Sequence, residues 1–505
     1  MKLHILYTSD VHGQITGTNY AANQKESLGL TRLSSYLKTL DAPYLLLDNG
    51  DFLQGNVLLD YHRQFAPNEQ NPIVTAFNHL KYDFINLGNH DFNYGFDFLK
   101  SVSNNLNAEI ICANVVDHNL MPIYTPYKIV ELGNIKIGLI GVVTQYIPNW
   151  EKPDHILDLQ FLNAYDTVKA LIPKVRAAVD YLIVLYHGGF EKDLSTGEAI
   201  GRDTKENLGY AIASLDGIDA LLTGHQHVPT THLFNDKTWI LQTSANAKDA
   251  GRLTITFNSD SSFKHEAELF KLNHEEDTDL LDQLKLLEDK TQSWLDTPVG
   301  KTALNMEIKN QLDARKTKHP LFEWINRMQL ELSGAQISAA SLPNEAPGFK
   351  DVICLRDIAA NFIYPNTLSL LEVTGKILRE ALEKTLTYFA IENDDIVVDK
   401  SFVYPKIEHY NYDIYDGITY TADLKKPKYN RLIELTFEGK TITDSDKFTL
   451  VINNYRASGG GDYYMFKEAK LLKEFDVSLF NLSVETIKKN ATVDFIISNN
   501  FKLIK

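Results

Sequence analysis

Along the first half of the chain, short apolar runs alternate with segments whose apolar positions recur at helical spacing. The runs are LHILYTSD, YLLLDNGD, YDFINLGNHD, IKIGLIGVV, YLIVLYHGG and IDALLTGHQH. Each is rich in Leu, Ile, Val or Tyr and most give way to Gly or Asp, the pattern of strands in a layered α/β sheet. Helices are expected between them, for example over residues 30–40 and 165–179. After the strand-like runs GRLTITF and KHEAELFKL comes KLNHEEDTDLLDQLKLLEDKTQS, residues 271–293. Its charges and helically spaced Leu read as one amphipathic helix with a solvated face. That helix is expected to connect two domains, over residues 1–270 and 296–505, with 271–295 as linker. The second domain should hold helices over 320–333 and 375–387, and strands near 368–373, 431–437 and 448–453.

A length of 505 residues fits this division, being more than one core carries comfortably. Hydrophobic content of 44% and charged content of 23% are those of an ordinary globular protein. The formal charge of −16 argues against a long nucleic acid as partner. It leaves room for a small phosphate ligand, because bound ions make a site locally positive. Cys112 and Cys354 both sit in apolar runs and read as buried small hydrophobes. The start, MKLHILYTSDVHGQ, reads as a first strand, not a leader, and no stretch has the length of a membrane span. A cytoplasmic protein without a membrane partner is expected.

The downstream ends of the apolar runs carry the chemistry. They deliver in turn Asp10 and His12; Asp48, Asn49 and Asp51; Asn89, His90 and Asp91; His187; and His225 with His227. In open α/β sheets, ligand sites form at the carboxyl ends of strands. Imidazole nitrogen and carboxylate oxygen suit divalent Mn, Zn, Fe or Co, and no thiolate is offered. A carboxylate between two such sets can bridge two ions, which activate a water and clamp a transferring phosphoryl group. Singly, each motif has a bland explanation: DNGD is usually a turn, and the two histidines of GHQH need not point the same way. All five in this order, each after an apolar run, point to a metal centre.

This ordered set, Asp10-x-His12, Gly50-Asp51, Gly88-Asn89-His90-Asp91, His187-Gly188 and Gly224-His225-x-His227, resembles the calcineurin-like metallophosphoesterases. The C-terminal half resembles the second domain of the 5'-nucleotidase and 2',3'-cyclic-nucleotide 2'-phosphodiesterase family. The resemblance implies a four-layer αββα sandwich followed by a smaller α/β substrate-binding domain. It implies two divalent ions, one held by Asp10, His12, Asp51 and His227, the other by Asp51, Asn89, His187 and His225. His90 matches the family's catalytic histidine, with Asp91 and Asn93 beside it in the candidate catalytic group. In the 5'-nucleotidases an aspartate orients that histidine. Here the position is Asn93, which hydrogen-bonds but adds no negative charge. GNHDFNYG, and His227 where many 5'-nucleotidases have glutamine, instead resemble the cyclic phosphodiesterase and 3'-nucleotidase branch.

The second half contributes EHYNYDIYDGITYTAD and VINNYRASGGGDYY. Aromatic faces stack on bases whatever their identity, and Gly459 and Gly460 would let a ligand lie against backbone. By the resemblance, Tyr412 and Tyr455 sandwich the base, with Arg456, Asn344 and Arg356 as weaker candidates for ribose or phosphate. The expected substrates are 2',3'-cyclic nucleotides, opened to 3'-nucleotides, and 3'-nucleotides, cleaved to nucleoside and phosphate. A 5'-nucleotidase or nucleotide-sugar hydrolase, a sulfur-ester hydrolase on the same scaffold and a non-catalytic nucleotide-binding protein are the alternatives.

Overall fold

The computed structural model describes residues 2–505 apart from 134, 201–204, 259–261, 365, 405 and 476. It divides into two compact units, residues 1–291 and 292–505.

The first unit is built on two six-stranded sheets. One runs in the order Phe263–Lys271, Asp249–Phe257, Lys2–Thr8, Tyr44–Asp48, Phe84–Ile85, Glu109–Ile110. The other runs Thr230–Phe234, Thr238–Gln242, Ala220–Thr223, Tyr181–His187, Ile135–Val143, Tyr127–Leu132. The central strands are parallel, as with Lys2–Thr8 beside Tyr44–Asp48 and Tyr181–His187 between its two neighbours. These strands are apolar on both faces because both faces are covered. The edge strand Phe263–Lys271 alternates half-buried and exposed residues instead.

The inner faces of the two sheets share one core. Leu3, Ile5, Leu45 and Leu47 from one meet Ile137, Leu139, Ile183, Leu185 and Leu222 from the other. Each such side chain, fully buried, contributes about 1.5–3 kcal/mol. On the far face of the second sheet, helix Ala164–Arg176 sets Val168, Ile172 and Val175 against Ile140, Val142, Leu182 and Val184. On the far face of the first, helix Leu30–Leu37 places Tyr36 4.5 Å from Phe270, ring to ring. Helix, sheet, sheet and helix make the four layers expected from the sequence.

Several elements differ from the periodic reading. The run YDFINLGNHD yields only the strand Phe84–Ile85. Asn86 ends it by turning its side chain across to the second sheet, donating to the Val142 carbonyl at 2.8 Å. The charged helix spans Thr278–Leu295 and starts later than expected. Lys271 is still in a strand, paired with Asp249, and the Asp277 carboxylate accepts the Asp279 N–H, fixing the first turn.

The second unit centres on a five-stranded sheet, Asp413–Asp416, Ile337–Ser341, Lys447–Asn453, Leu368–Thr374, Lys470–Phe475. Helix Pro320–Ser333 packs on one face through Phe322, Ile325 and Met328, in a core that includes Ile414 and Val451. Helix Gly375–Leu386 covers the other through Ile377, Leu378 and Leu382. Both cysteines are free thiols; Cys112 is buried, but Cys354 is half-exposed, because it precedes helix Leu355–Asn361 as its N-cap. Among the described residues, no helix is long and apolar enough to cross a membrane.

Candidate metal centre

The expected ligands lie just past the carboxyl ends of strands from both sheets of the first unit. Asp10 and His12 follow Lys2–Thr8, Asp51 follows Tyr44–Asp48, and His225 and His227 follow Ala220–Thr223, while His187 ends its own strand. Five of these residues hold left-handed backbone: Asp10 (φ 56°), His12 (49°), Asp51 (60°), His225 (71°) and His227 (59°). Each such residue costs about 1 kcal/mol or more, and conformations of this kind gather at functional sites. Close backbone approach adds to this. A Cβ on Gly50 would run into the Gly88 nitrogen, and one on Gly88 into the Asp51 carboxylate. Asp48 and Asn49, also at a strand end, support the frame. Asp48 accepts from Thr8 Oγ1 and the Gly50 N–H, and Asn49 Nδ2 donates to carbonyls of the second sheet.

Two groups of ligand atoms converge: Asp10, His12 and His227, and Asp51, His187 and His225, with the atoms of each group within 4.8 Å of one another. The histidines are presented by their other nitrogens. His12 Nδ1 donates to the Gln54 carbonyl at 2.8 Å, His187 Nδ1 to the Asn49 carbonyl at 2.7 Å, and His225 Nε2 to Glu206 at 2.7 Å. This leaves His12 Nε2 3.1 Å from His227 Nε2, and His187 Nε2 3.1 Å from Asp51 Oδ2. Asn89 Oδ1 lies 2.8 Å from His225 Nδ1. Asp51 Oδ2 and His187 Nε2 are fully buried and, among the described residues, face each other as an ion pair without hydrogen-bond geometry, a placement that an ion between them would satisfy.

The electrostatics agree with a cation site. Burial works against charge on Asp10 and Asp51, yet His187 and neighbouring imidazoles hold both carboxyls below the usual range. Burial pushes His12 down to about 4, so its ring is neutral at pH 7. Against its burial, Asp51 and Asp10 raise His187 to about 10, so ligation there displaces a proton. Buried carboxylates and imidazole nitrogens converging in two groups fit a pair of divalent ions, with no soft ligand to favour a thiophilic metal.

His90 sits at the rim. Its backbone N–H donates to Asp51 Oδ1 at 2.6 Å, and its Nδ1 is 2.8 Å from Asn93 Oδ1. Asp91 does not join it in the catalytic group. Its two oxygens accept the backbone N–H groups of Asp51, Phe52, Leu53 and Gly88, at 2.8–3.1 Å. Burial and the Asp51 charge raise Asp91 to about 7, while the N–H donors favour its ionised form. Asp91 is a clamp that gathers the loops carrying Asp51 and Asn89.

In the second unit the candidate substrate residues separate. Tyr455 is half-exposed. Tyr412 has no exposed surface; its ring is in the core beside Tyr388 and Phe389, and its hydroxyl donates to the Arg315 carbonyl. The sandwich expected of Tyr412 is not available in this geometry, because the residue points inward just before strand Asp413–Asp416. Two positions earlier, Tyr410 is half-exposed, and its carbonyl accepts from Arg456 at 2.9 Å. Arg456 is itself buried and paired with Asp413. Arg356 is mostly buried and binds Asp296 and Gln292, and Asn344 donates to the Ile407 carbonyl. Gly459 (φ 92°) and Gly460 are buried, an added Cβ on Gly460 meeting the Tyr455 ring.

Three neighbours of the centre went unnoticed in the sequence: Glu206, Trp150 and Glu151. Trp150 stacks on His225, with ring centroids 5.5 Å apart. Glu151 accepts from Asn93 Nδ2 at 2.7 Å. The only sequence signal is a Trp-Glu pair in a polar segment, with no spacing relation to the ligand motifs.

Comparison with known proteins follows the same division. The model of the calcineurin-like phosphoesterase family matches residues 3–229, and that of the 5'-nucleotidase C-terminal domain matches residues 298–468. A solved putative 5'-nucleotidase from Staphylococcus aureus is 32% identical, with TM-score 0.95 and complete coverage of both chains. The 2',3'-cyclic-nucleotide 2'-phosphodiesterase/3'-nucleotidase of Salmonella typhimurium is 27% identical over 91% of this chain and 82% of its own. The trifunctional nucleotide phosphoesterase protein YfkN of Bacillus subtilis is 27% identical over the whole of this chain, which spans 39% of that protein's length.

Proposed function

From the chain's membership of the calcineurin-like phosphoesterases that carry a 5'-nucleotidase C-terminal domain, we infer a phosphoric ester hydrolase acting on 2',3'-cyclic nucleotides and 3'-nucleotides. The observation that carries the reading is the pair of convergent Asp/His groups with His90 bonded to Asn93 at their rim. Asp10, His12, Asp51 and His227 would hold one divalent ion, and Asp51, Asn89, His187 and His225 the other, with Asp51 shared. Such ions, when bound, supply a nucleophilic water at neutral pH and neutralise charge on the phosphoryl oxygens.

The chain's own residues do the rest. Asp91 keeps Asp51 and Asn89 in register by holding their loops. The Glu206 and Asn49 acceptors fix the faces that His225 and His187 present. His90 donates from Nε2 to the phosphoryl group or to the departing oxygen. For the cyclic substrate, water is added across the P–O2' bond and O2' leaves protonated, giving a 3'-phosphate. For the 3'-nucleotide, the P–O3' bond breaks, giving nucleoside and phosphate. Tyr455 and Tyr410 offer the second unit's half-exposed rings for a base.

A 5'-nucleotidase is the second reading, favoured by the likeness to the Staphylococcus aureus structure. Product analysis with 2',3'-cyclic AMP, 3'-AMP and 5'-AMP in Mn²⁺ separates the two. The cyclic and 3' substrates should be turned over in preference, and His90→Ala should lower kcat about 100-fold or more. Preference for 5'-AMP would overturn the first reading in favour of the second.

A further inference from the structure

Asn93 stands between His90 and a carboxylate 58 positions further along the chain. His90 Nδ1 is 2.8 Å from Asn93 Oδ1, and Asn93 Nδ2 is 2.7 Å from Glu151 Oε2. The other Glu151 oxygen accepts from His155 Nδ1 at 2.7 Å and from the Lys152 N–H at 2.9 Å. The Glu151 side chain is 7% exposed, so water competes little for it.

This chain of bonds has one consistent polarity. An ionised carboxylate only accepts, so it must face the Asn93 amide NH₂. The amide oxygen is then turned to His90. That oxygen also only accepts, so His90 Nδ1 must carry a proton. Nε2 is left as the nitrogen that works on the substrate, and an Nδ1–H held by an acceptor suits the imidazolium that donates from it. Were Glu151 missing, the amide would be free to rotate by half a turn. Its NH₂ would then face Nδ1 and take up that lone pair, and a ring whose Nδ1 accepts cannot also be the imidazolium that donates from Nε2.

We propose that Glu151 is a positioning residue for His90, acting through Asn93 to fix the proton on Nδ1 and to supply the negative charge that Asn93 lacks. The proposal rests on His90 acting as read above. It adds that a carboxylate remote in sequence replaces one that would otherwise be at position 93.

The test uses the zinc-loaded full chain and bis(p-nitrophenyl) phosphate, a diester that does not depend on nucleotide preference. Glu151→Gln removes the charge while keeping size and most contacts. It should lower kcat about 10- to 100-fold with KM within about twofold. Asn93→Asp in the Glu151→Gln background puts the carboxylate directly on His90 and should restore most of the lost kcat. Nitrogen-15 correlation spectra of the His90 ring should show the proton on Nδ1 in the wild type, and its loss from Nδ1 in Glu151→Gln. An unchanged kcat in Glu151→Gln, or a double variant as slow as the single one, would overturn the proposal, since a merely structural Glu151 is not rescued from position 93. If the wild type turned over the aryl diester but no nucleotide, only the substrate reading would fail. If it turned over neither, the ring spectra alone would decide: an unshifted Nδ1 proton in Glu151→Gln refutes the relay.

Discussion

Arg456 and Asp413 are both almost entirely buried and lie 2.8 Å apart. The guanidinium also donates to the carbonyls of Gly460 and Tyr410 and to Asn411 Oδ1. It therefore ties the glycine loop to the segment before strand Asp413–Asp416, and it is not presented to a ligand. Removing one partner of a buried pair leaves the other charge uncompensated, so Arg456→Ala should destabilise the second unit by about 3–5 kcal/mol. Thermal melting checks this; a variant with unchanged melting and a raised KM would make Arg456 a substrate contact after all. In the sequence these residues stand beside tyrosines and glycines, but nothing in the string sets the direction of their side chains. Tyr410 and Tyr412 are two apart, look equivalent in the string, and end one half-exposed and the other in the core. The convergence of the Asp and His side chains was easier to read, because Asp, Asn and His directly after an apolar strand have few other reasons to recur five times.

At the scale of elements, strands were legible because burial on both faces writes a continuous apolar run. Helix limits were less so, since caps and turns depend on single bonds. The helix Thr278–Leu295 shows this. Its start is set by Asp277, whose carboxylate accepts from Ser34 Oγ, Lys38 Nζ, His79 Nε2 and the Asp279 N–H. Burial alone would raise this carboxyl, but those donors hold it well below the usual carboxylate range. A carboxyl whose folded pKa is depressed adds stability above its unfolded pKa of about 3.9 and loses it as pH falls through the folded value. Asp277→Asn should then cost about 1–3 kcal/mol near pH 7, and the gap to wild type should close as the pH is lowered below about 4. Melting curves across that range check it; a gap independent of pH would mean the carboxylate charge is not what fixes the cap.

Over the whole molecule, the fold and its division into two units follow from the order of the runs and from a length too great for one core. Groups that meet only in three dimensions were not legible. Glu206 reaches His225 from a polar loop, and Glu151 reaches Asn93 across 58 positions. No period or spacing encodes such pairs, because they depend on how loops from different strands fold over one end of the sheets. The acidic surface, with 66 acidic against 50 basic side chains, makes a site that attracts phosphate depend on ions held by its ligands. The most direct test is to strip the protein with a chelator and return Mn²⁺ in measured amounts while following phosphate release from 3'-AMP. Activity should be absent at the start and should reach its plateau only as about two ions bind per chain. Full activity in the stripped protein, or a plateau at one ion, would contradict a two-ion centre held by these seven residues.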